Sequence, residues 1–156
     1  MNASLEDWLA RLEAPTRIEL GLARVARVRD AAALHPRCPV ITVAGTNGKG
    51  STCAVLEAVL TAAGYRVGLY TSPHLLRYNE RVRIAGREAT DAELVAAFEA
   101  VDAARGEVAS GKAASGTIPL TYFEFGTLAA MRCFLDAGVD VIVLEVGLGG
   151  RLDAVN

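Results

Sequence analysis

The 156-residue sequence lacks several features that would assign it to a specialised class of protein. No apolar run approaches the roughly 20 residues that are needed to cross a bilayer. The first residues also lack the basic and then apolar layout of a signal peptide. The net charge of -2 provides no basic surface for nucleic acid or for an anionic membrane. We therefore expect a cytoplasmic protein that binds neither nucleic acid nor membranes.

Cysteine is scarce as well. Cys38, Cys53 and Cys133 are odd in number and far apart, without the paired spacing of a metal site or a disulfide framework. Cys53 and Cys133 fall within helical patterns, so we predict that they are reduced core residues. With 52% apolar and 22% charged residues, the chain has the composition of one globular domain with a core of its own.

The most informative stretch runs from residue 40 to residue 63. Residues 40–43 are apolar and β-branched, which predicts a strand buried on both faces. A turn with three glycines and Lys49 follows, and then a helical pattern begins at Ser51, with Val55, Leu56, Val59, Leu60 and Ala63 on its apolar face. Glycines let backbone amides approach phosphate oxygens, the helix N-terminus adds partial positive charge, and Lys49 adds a full one. We therefore predict a phosphate-binding loop, in which Ser51 or Thr52 could offer a hydroxyl to Mg²⁺.

This loop departs from the common P-loop pattern, which has glycine where Val43 stands and a hydroxyl residue where Gly50 stands. The alternative is a strand-to-helix turn in which the glycines serve geometry alone. That alternative does not explain a lysine flanked by glycines at the start of a helix.

Two later segments predict strands of the same sheet. Residues 65–71 lead into Ser72-Pro73-His74, and residues 139–144 lead into Glu145. A strand–helix–strand unit of this length implies parallel strands with a right-handed crossover, and ligands of such sheets bind at the carboxyl ends of the strands. We predict an α/β fold with a P-loop-type, mostly parallel sheet and helices on both faces. Glu145 then occupies the position where an acid holds Mg²⁺ in nucleotide-binding proteins, the alternative being an ordinary exposed carboxylate.

Short sequence patterns predict the remaining helices, a turn and a loop. Capping boxes at Thr90–Glu93 and Thr121–Glu124 predict two helix starts, the first helix ending near Glu107. Ala85-Gly86 predicts the turn of a hairpin, and residues 109–117 predict a flexible loop. A further helix is predicted over about residues 18–33, with its arginines on a solvated face.

Several motifs occur in the order found in one family. They are Leu20-Gly21-Leu22, Gly45-Thr46-Asn47-Gly48-Lys49-Gly50-Ser51, Ser72-Pro73-His74-Leu75, Asn79-Glu80-Arg81, Leu120-Thr121-Tyr122-Phe123-Glu124 and Leu144-Glu145-Val146-Gly147-Leu148-Gly149-Gly150-Arg151-Leu152-Asp153-Ala154. Together they closely resemble the bifunctional dihydrofolate synthase/folylpolyglutamate synthases, which are relatives of the cell-wall Mur ligases. Val155 departs from the family, which usually has threonine just before Asn156.

The resemblance implies ATP-dependent amide formation. ATP phosphorylates the carboxylate of dihydropteroate or a folate, and the amine of L-glutamate attacks the acyl phosphate. ATP and Mg²⁺ are the implied cofactors, and Lys49 and Glu145 are expected to carry the chemistry. The implied ATP-phosphate residues are Thr46, Asn47, Gly48, Lys49, Gly50 and Ser51; the implied metal ligands are Ser72 and Glu145; the implied pterin-site residues are Thr121, Tyr122, Phe123, Glu124, Leu152, Asp153 and Ala154. Phe123 would stack on the pterin, Asp153 would accept its hydrogen bonds, and His74 receives no chemical role.

The family continues beyond the length of this chain, through a metal-ligating histidine, a carbamylated lysine and a C-terminal domain that helps to bind glutamate. We therefore expect residues 1–156 to be the N-terminal part of the ATP-binding domain, inactive alone, of an enzyme that is monomeric at full length. Two alternatives stay open. One is a Mur-type ligase that adds an amino acid to a cell-wall precursor, against which the pterin-site segments argue. The other is a nucleotide-binding module that makes no bond.

Overall fold

The computed structural model describes residues 3–13, 21–110 and 117–155. The helices are α1 (Leu5–Leu12), α2 (Ala23–Ala31), α3 (Lys49–Ala62), α4 (Asp91–Ser110), α5 (Tyr122–Ala137) and a short 3₁₀ helix (Tyr78–Arg81). The strands are β1 (Val40–Val43), β2 (Val67–Tyr70), β3 (Val82–Ile84), β4 (Arg87–Glu88) and β5 (Val141–Glu145). None of the helices in these described ranges has the length and apolarity to span a membrane.

The described strands form one sheet in the order β1-β5-β2-β3-β4. β5 lies between β1 and β2 and runs parallel to both, with Val43 opposite Glu145 and Tyr70 opposite Leu144. β3 and β4 continue the sheet in antiparallel fashion. The prediction of a mostly parallel sheet that contains the three named strands is therefore confirmed.

Helices cover both faces of the sheet, as predicted. Successive residues of a strand point to opposite faces, and β5 shows this directly. Val141 and Val143 belong to a small buried cluster with Cys53 of α3, whereas Ile142 and Leu144 belong to a large cluster that includes buried residues of α1, α2, α4 and α5. We call these two sides the α3 face and the α5 face. Cys53 and Cys133 are buried free thiols, which confirms their predicted role as core residues.

β1 is less buried than its sequence predicts. Val40 is 41% exposed, Thr42 is exposed, and only Val43 is buried. Within the described residues β1 pairs with β5 alone and forms an edge of the sheet, so the prediction of a strand buried on both faces is wrong for β1. That description fits β5, in which all five residues are buried. An apolar, β-branched run specifies a strand but does not tell an edge strand from a central one.

The predicted apolar face of α3 is only partly buried. Cys53 is fully buried, and Leu56 and Leu60 are half-buried against it. Val55 and Val59, which the helical periodicity predicts on the same face, are 61% and 60% exposed. Helical periodicity shows which residues share a side of the helix, but not how far neighbouring elements cover that side.

The predicted hairpin turn and the two predicted capping boxes are confirmed. Ala85 and Gly86 have φ of +50° and +81°, the two-residue turn geometry that matches the twist of a hairpin. Thr90 and Thr121 cap α4 and α5, each with the acid three residues later returning the hydrogen bond. α4 continues to Ser110, three residues beyond its predicted end. The helix predicted over about residues 18–33 is shorter, since α2 covers only Ala23–Ala31 and the described residues 21 and 22 are not helical. Residues 109 and 110, predicted to be loop, belong to α4, and residues 111–116 lie outside the described residues.

Candidate nucleotide and metal site

The predicted phosphate loop joins β1 to α3 at the carboxyl edge of the sheet. Gly48 is the N-cap of α3, with φ of +72° and no side-chain cap. A left-handed φ is accessible to glycine without steric cost, which explains the residue at this position. An N-terminus without a side-chain cap leaves first-turn amides for an outside acceptor, and Lys49 is the first residue of the helix. Thr52 donates its hydroxyl proton to the Gly48 carbonyl oxygen at 3.0 Å, so this hydroxyl belongs to the helix start.

Glu145 is a buried carboxylate at the end of β5, with only 5% of its surface exposed. One oxygen, Oε2, accepts a hydrogen bond from the Ser72 amide at 2.9 Å. The other, Oε1, would lie 3.7 Å from a Cβ placed on Gly50. The structure thus brings together Glu145, Ser72 and the first turn of α3. Because the side chain is buried, the alternative of an ordinary exposed carboxylate is wrong.

A buried carboxylate needs more compensation than one amide provides. Within the described residues, the Ser72 amide is the one hydrogen-bond donor to Glu145. No group of three or more His, Cys, Asp or Glu side chains is present there that could hold a metal ion by itself. Mg²⁺ prefers oxygen ligands and takes one or two protein carboxylates, keeping waters for the rest of its shell. The pair of Glu145 and Ser72 therefore fits a magnesium ion that also binds phosphate.

Cys53 lies one turn into α3, and the charges of Glu145 and Lys49 both affect the pKa of its thiol. Burial, and after it the charge of the Glu145 carboxylate, raise the pKa of its thiol to about 11, while a backbone hydrogen bond and Lys49 oppose the shift. The thiol is therefore protonated at neutral pH, and thiolate is the form that ligates metals. Cys53 is therefore a packing residue of the α3 face.

The predicted pterin segment begins α5. Thr121 is the N-cap, and its amide donates to Glu124 Oε2 at 2.7 Å. Arg24 Nη2 donates to Glu124 Oε1 at 3.0 Å, so both oxygens of this buried carboxylate are engaged within the protein. The expectation of a solvated arginine face on α2 is consequently wrong for Arg24, since the ion pair fixes α2 against the start of α5.

Two aromatic side chains of this segment lie between distant parts of the chain. The ring of Phe123 lies 5.8 Å from that of Tyr70, and it contacts Gly147 so closely that a Cβ there would lie 2.7 Å from two ring carbons. The ring of Tyr122 lies 5.9 Å from that of Tyr78. Phe123 thus brings the start of α5 against the loop that follows β5, and glycine at position 147 permits the contact.

Asp153 organises that loop. Its carboxylate is buried and accepts hydrogen bonds from the amides of Leu148 at 2.8 Å and Val155 at 3.1 Å. Leu152 beside it is exposed, and Ala154 is half-buried. The Asp153 carboxylate therefore closes this loop, and its predicted role as acceptor of hydrogen bonds from a pterin stays a prediction.

Sequence reasoning missed the role of Glu80, one of the quoted motif residues. Its carboxylate accepts hydrogen bonds from the amides of Leu75, Leu76 and Arg77 at 2.7, 2.8 and 2.9 Å. These three bonds lower the pKa of Glu80. They also fix the loop that carries Ser72 and His74. An acid that follows a Ser-Pro turn was the available signal, but short-range patterns do not show which amides it caps.

The fold is that of an α/β domain, and this edge of the sheet carries a candidate phosphate site at the start of α3 and a candidate metal ligand in Glu145. No family model matches the chain. It is 50% identical over 155 residues to the dihydrofolate synthase/folylpolyglutamate synthase of Escherichia coli strain K12, covering 97% of this chain and 34% of that protein. The chain thus spans about a third of the length of the curated relatives it matches.

Solved structures of the same enzymes are also similar to this chain. Escherichia coli FolC in complex with DHPP and ADP superposes with a TM-score of 0.88 at 49% identity, over 98% of this chain and 35% of that one. A bifunctional folylpolyglutamate synthase/dihydrofolate synthase with Mn, AMPPNP and L-glutamate bound gives 0.87 at 53% identity, over 97% and 35%. The chain is thus homologous to part of the dihydrofolate synthase/folylpolyglutamate synthases, which confirms the resemblance that the motifs indicated.

Proposed function

We propose that this chain supplies the nucleotide-phosphate and metal side of an ATP-dependent ligase. The ligase would join L-glutamate to dihydropteroate or a folate through an acyl phosphate. The observation that carries the proposal is the convergence at Glu145, whose buried carboxylate reaches both the Ser72 amide and the first turn of α3. The related structures with ADP and DHPP, or with Mn, AMPPNP and L-glutamate, support the same ligands here.

The chemistry explains why such residues are needed. A carboxylate is a poor acyl donor because its leaving group is oxide, and phosphorylation converts that oxygen into a leaving group. The reaction therefore requires a cradle that holds the γ-phosphate and stabilises its charge during transfer. The amides of residues 46–51 and the Lys49 ammonium would provide it. Mg²⁺, when held by Ser72 and Glu145, supplies further positive charge to the phosphates.

The acyl-group substrate would lie on the other side of the same edge. Thr121, Tyr122, Phe123 and Glu124 would form one wall of the pterin site, and Leu152, Asp153 and Ala154 the other. The contact of Phe123 with Gly147 supports this arrangement, because it holds the two segments next to each other. A half-buried aromatic ring beside exposed leucines suits a flat heteroaromatic ring system.

We further propose that the chain corresponds to the N-terminal part of the ATP-binding domain of a cytoplasmic enzyme that is a monomer at full length. The glutamate side and the remaining metal ligands would then come from sequence beyond these 156 residues. The isolated chain should accordingly form no dihydrofolate from dihydropteroate, ATP and L-glutamate. Product formation by the pure chain, measured by chromatography, would contradict this.

Two titrations of the isolated chain test the proposed function. Calorimetry with ADP and Mg²⁺ examines the phosphate site, and calorimetry with dihydropteroate on the nucleotide-loaded chain examines the pterin walls. A ligase half should bind both ligands. Binding of nucleotide without any binding of dihydropteroate would favour the non-catalytic module, and binding of neither would reject the proposal. The relatives found bear folate-enzyme names, which disfavours the Mur-type alternative.

A further inference from the structure

Arg81, at the end of the 3₁₀ helix, is a buried arginine. Only 9% of its surface is exposed. In the described part of the chain no carboxylate forms an ion pair with it, although Arg24, Arg77, Arg83 and Arg87 each have one. Its guanidinium carbon lies 5.5 Å from the ring centre of Tyr78 and 5.2 Å from that of Tyr122. The two aromatic rings hold the guanidinium in place through cation–π contacts.

The Arg81 side chain also forms a hydrogen bond with the ring of His74. Arg81 Nε donates to His74 Nδ1 at 2.8 Å. Arginine keeps its protons in proteins, so Nδ1 must be the acceptor and carry no proton. A neutral imidazole has one N–H, which is therefore on Nε2. Arg81 thus selects one tautomer of His74.

The Nε2–H of His74 is left as a donor. No described residue accepts a hydrogen bond from it, while the ring is half-buried in the loop after Ser72. The loop backbone is fixed on both sides, by Glu145 at Ser72 and by Glu80 at residues 75–77. Leu75 and Leu76, next to His74, are 90% and 92% exposed. A fixed donor beside exposed apolar side chains suits a ligand with an apolar body and an acceptor oxygen.

We propose that Arg81 is a positioning residue that holds His74 as its neutral Nε2–H tautomer, and that His74 donates this hydrogen bond to an oxygen of the pteroyl substrate. The identity of the ligand rests on the proposed function; the tautomer does not. The oxygen is a carbonyl or carboxylate oxygen, because an N–H donor serves either one.

The test uses the whole 156-residue chain labelled with ¹⁵N. Long-range ¹H–¹⁵N spectra report the imidazole tautomer, and assignment is simple because the sequence has two histidines, so that His35→Gln leaves one. The variants are Arg81→Gln, which removes the guanidinium, and His74→Phe, which removes the donor. Arg77→Gln is the matched control, since it makes the same change four residues earlier at an exposed side chain paired with Glu88. Dihydropteroate is the probe, and ADP affinity is measured in parallel.

We expect wild-type His74 to be in the Nε2–H form, and a mixture of tautomers in Arg81→Gln with unchanged His35 signals. Dihydropteroate should shift the His74 signals. Its affinity should fall about tenfold in both variants, the effect of losing one hydrogen bond, while ADP affinity and the Arg77→Gln control stay at the wild-type level.

The results that would overturn the inference fall into two kinds: some leave the proposed function standing, and one rejects its pterin half as well. A wild-type chain that binds dihydropteroate with His74 in the Nδ1–H form, or with undiminished affinity in His74→Phe, rejects the role of His74 and leaves the proposed function standing. A chain that binds ADP but no dihydropteroate rejects the ligand assignment and the pterin half of the proposed function together. The wild-type spectrum needs no substitution, so poor folding of a variant cannot obscure the tautomer result.

Discussion

The two faces of the sheet are built differently. The α5 face carries four helices and a large aromatic cluster in which Trp8, Tyr78, Phe98 and Phe125 contact one another edge to face or tilted. In the described part of the chain, the α3 face carries one helix, whose buried Cys53 packs on five buried strand residues, and it leaves Val55 and Val59 exposed. Lys49 and the first turn of α3 belong to the thinner side. The predicted phosphate loop therefore lies on the side of the sheet that has the smaller buried core.

The largest expected effect concerns function on the α3 side. In a longer enzyme that contains this chain, Lys49→Ala should lower turnover at least a hundredfold, because a charge-assisted contact to the transferring phosphoryl group is lost. Rates of phosphate release at saturating ATP would measure it. Arg29→Ala, which changes an exposed cation on α2, is the control. Turnover within tenfold of the parent, a loss of only about 1.4 kcal/mol, would remove Lys49 from the chemistry.

The same substitution on the two faces sharpens the comparison of stability. Val101 of α4 is fully buried on the α5 face, whereas Val55 of α3 is 61% exposed. Val101→Ala should lower the free energy of unfolding by about 2 kcal/mol, from lost apolar burial and the cavity left behind. Val55→Ala should change it by less than about 0.5 kcal/mol.

Urea unfolding followed by circular dichroism gives both values. Equal losses for the two variants would show that the α3 face is covered as fully as the α5 face, against the structure.

A smaller effect is expected at the start of α4. Glu93 pairs with Arg87 and accepts a hydrogen bond from the amide of Thr90, the N-cap of α4. The hydrogen bond from Arg87 is the main cause that lowers the pKa of Glu93 from 4.5 to about 2. A depressed folded-state pKa gives stability that is present above the unfolded value and is lost as the pH falls through the folded value. Because this pair is partly exposed, Glu93→Gln should cost only about 0.5–1 kcal/mol at pH 7.

The cost should shrink as the pH falls from about 4.5 to about 2, as measured by denaturant unfolding at several pH values. Glu99→Gln, at an exposed position of the same helix, is the matched control. A cost for Glu93→Gln that is independent of pH would contradict the electrostatic explanation.

Much of the architecture was predictable because its signals are local or topological. Thr90 and Thr121 cap helices in the way their short patterns predict. The approach of Ser72 to Glu145, 73 positions apart, was also predictable, since the carboxyl ends of neighbouring parallel strands meet at one edge.

The sequence does not predict two kinds of feature: how far neighbouring elements cover a helix or strand, and which side chains contact each other. The exposure of Val40 and Val59 depends on which elements lie against β1 and α3, and periodicity carries no such information. The ion pair of Arg24 with Glu124 joins residues 100 positions apart. The bond from Arg81 to His74 spans only seven positions, yet it depends on two tyrosine rings that fix the guanidinium.

We propose that Glu145 holds the metal ion of a nucleotide bound at the start of α3. The most direct test is the binding of ADP to the isolated chain with and without Mn²⁺, for the wild type and for Glu145→Gln. Glutamine keeps an oxygen that can accept from the Ser72 amide, so the fold should persist while the ligand charge is lost. We predict that Mn²⁺ strengthens ADP binding to the wild type, and that Glu145→Gln weakens binding with Mn²⁺ at least tenfold but leaves metal-free binding comparatively intact. Identical titration curves for the two proteins, with and without Mn²⁺, would contradict the assignment.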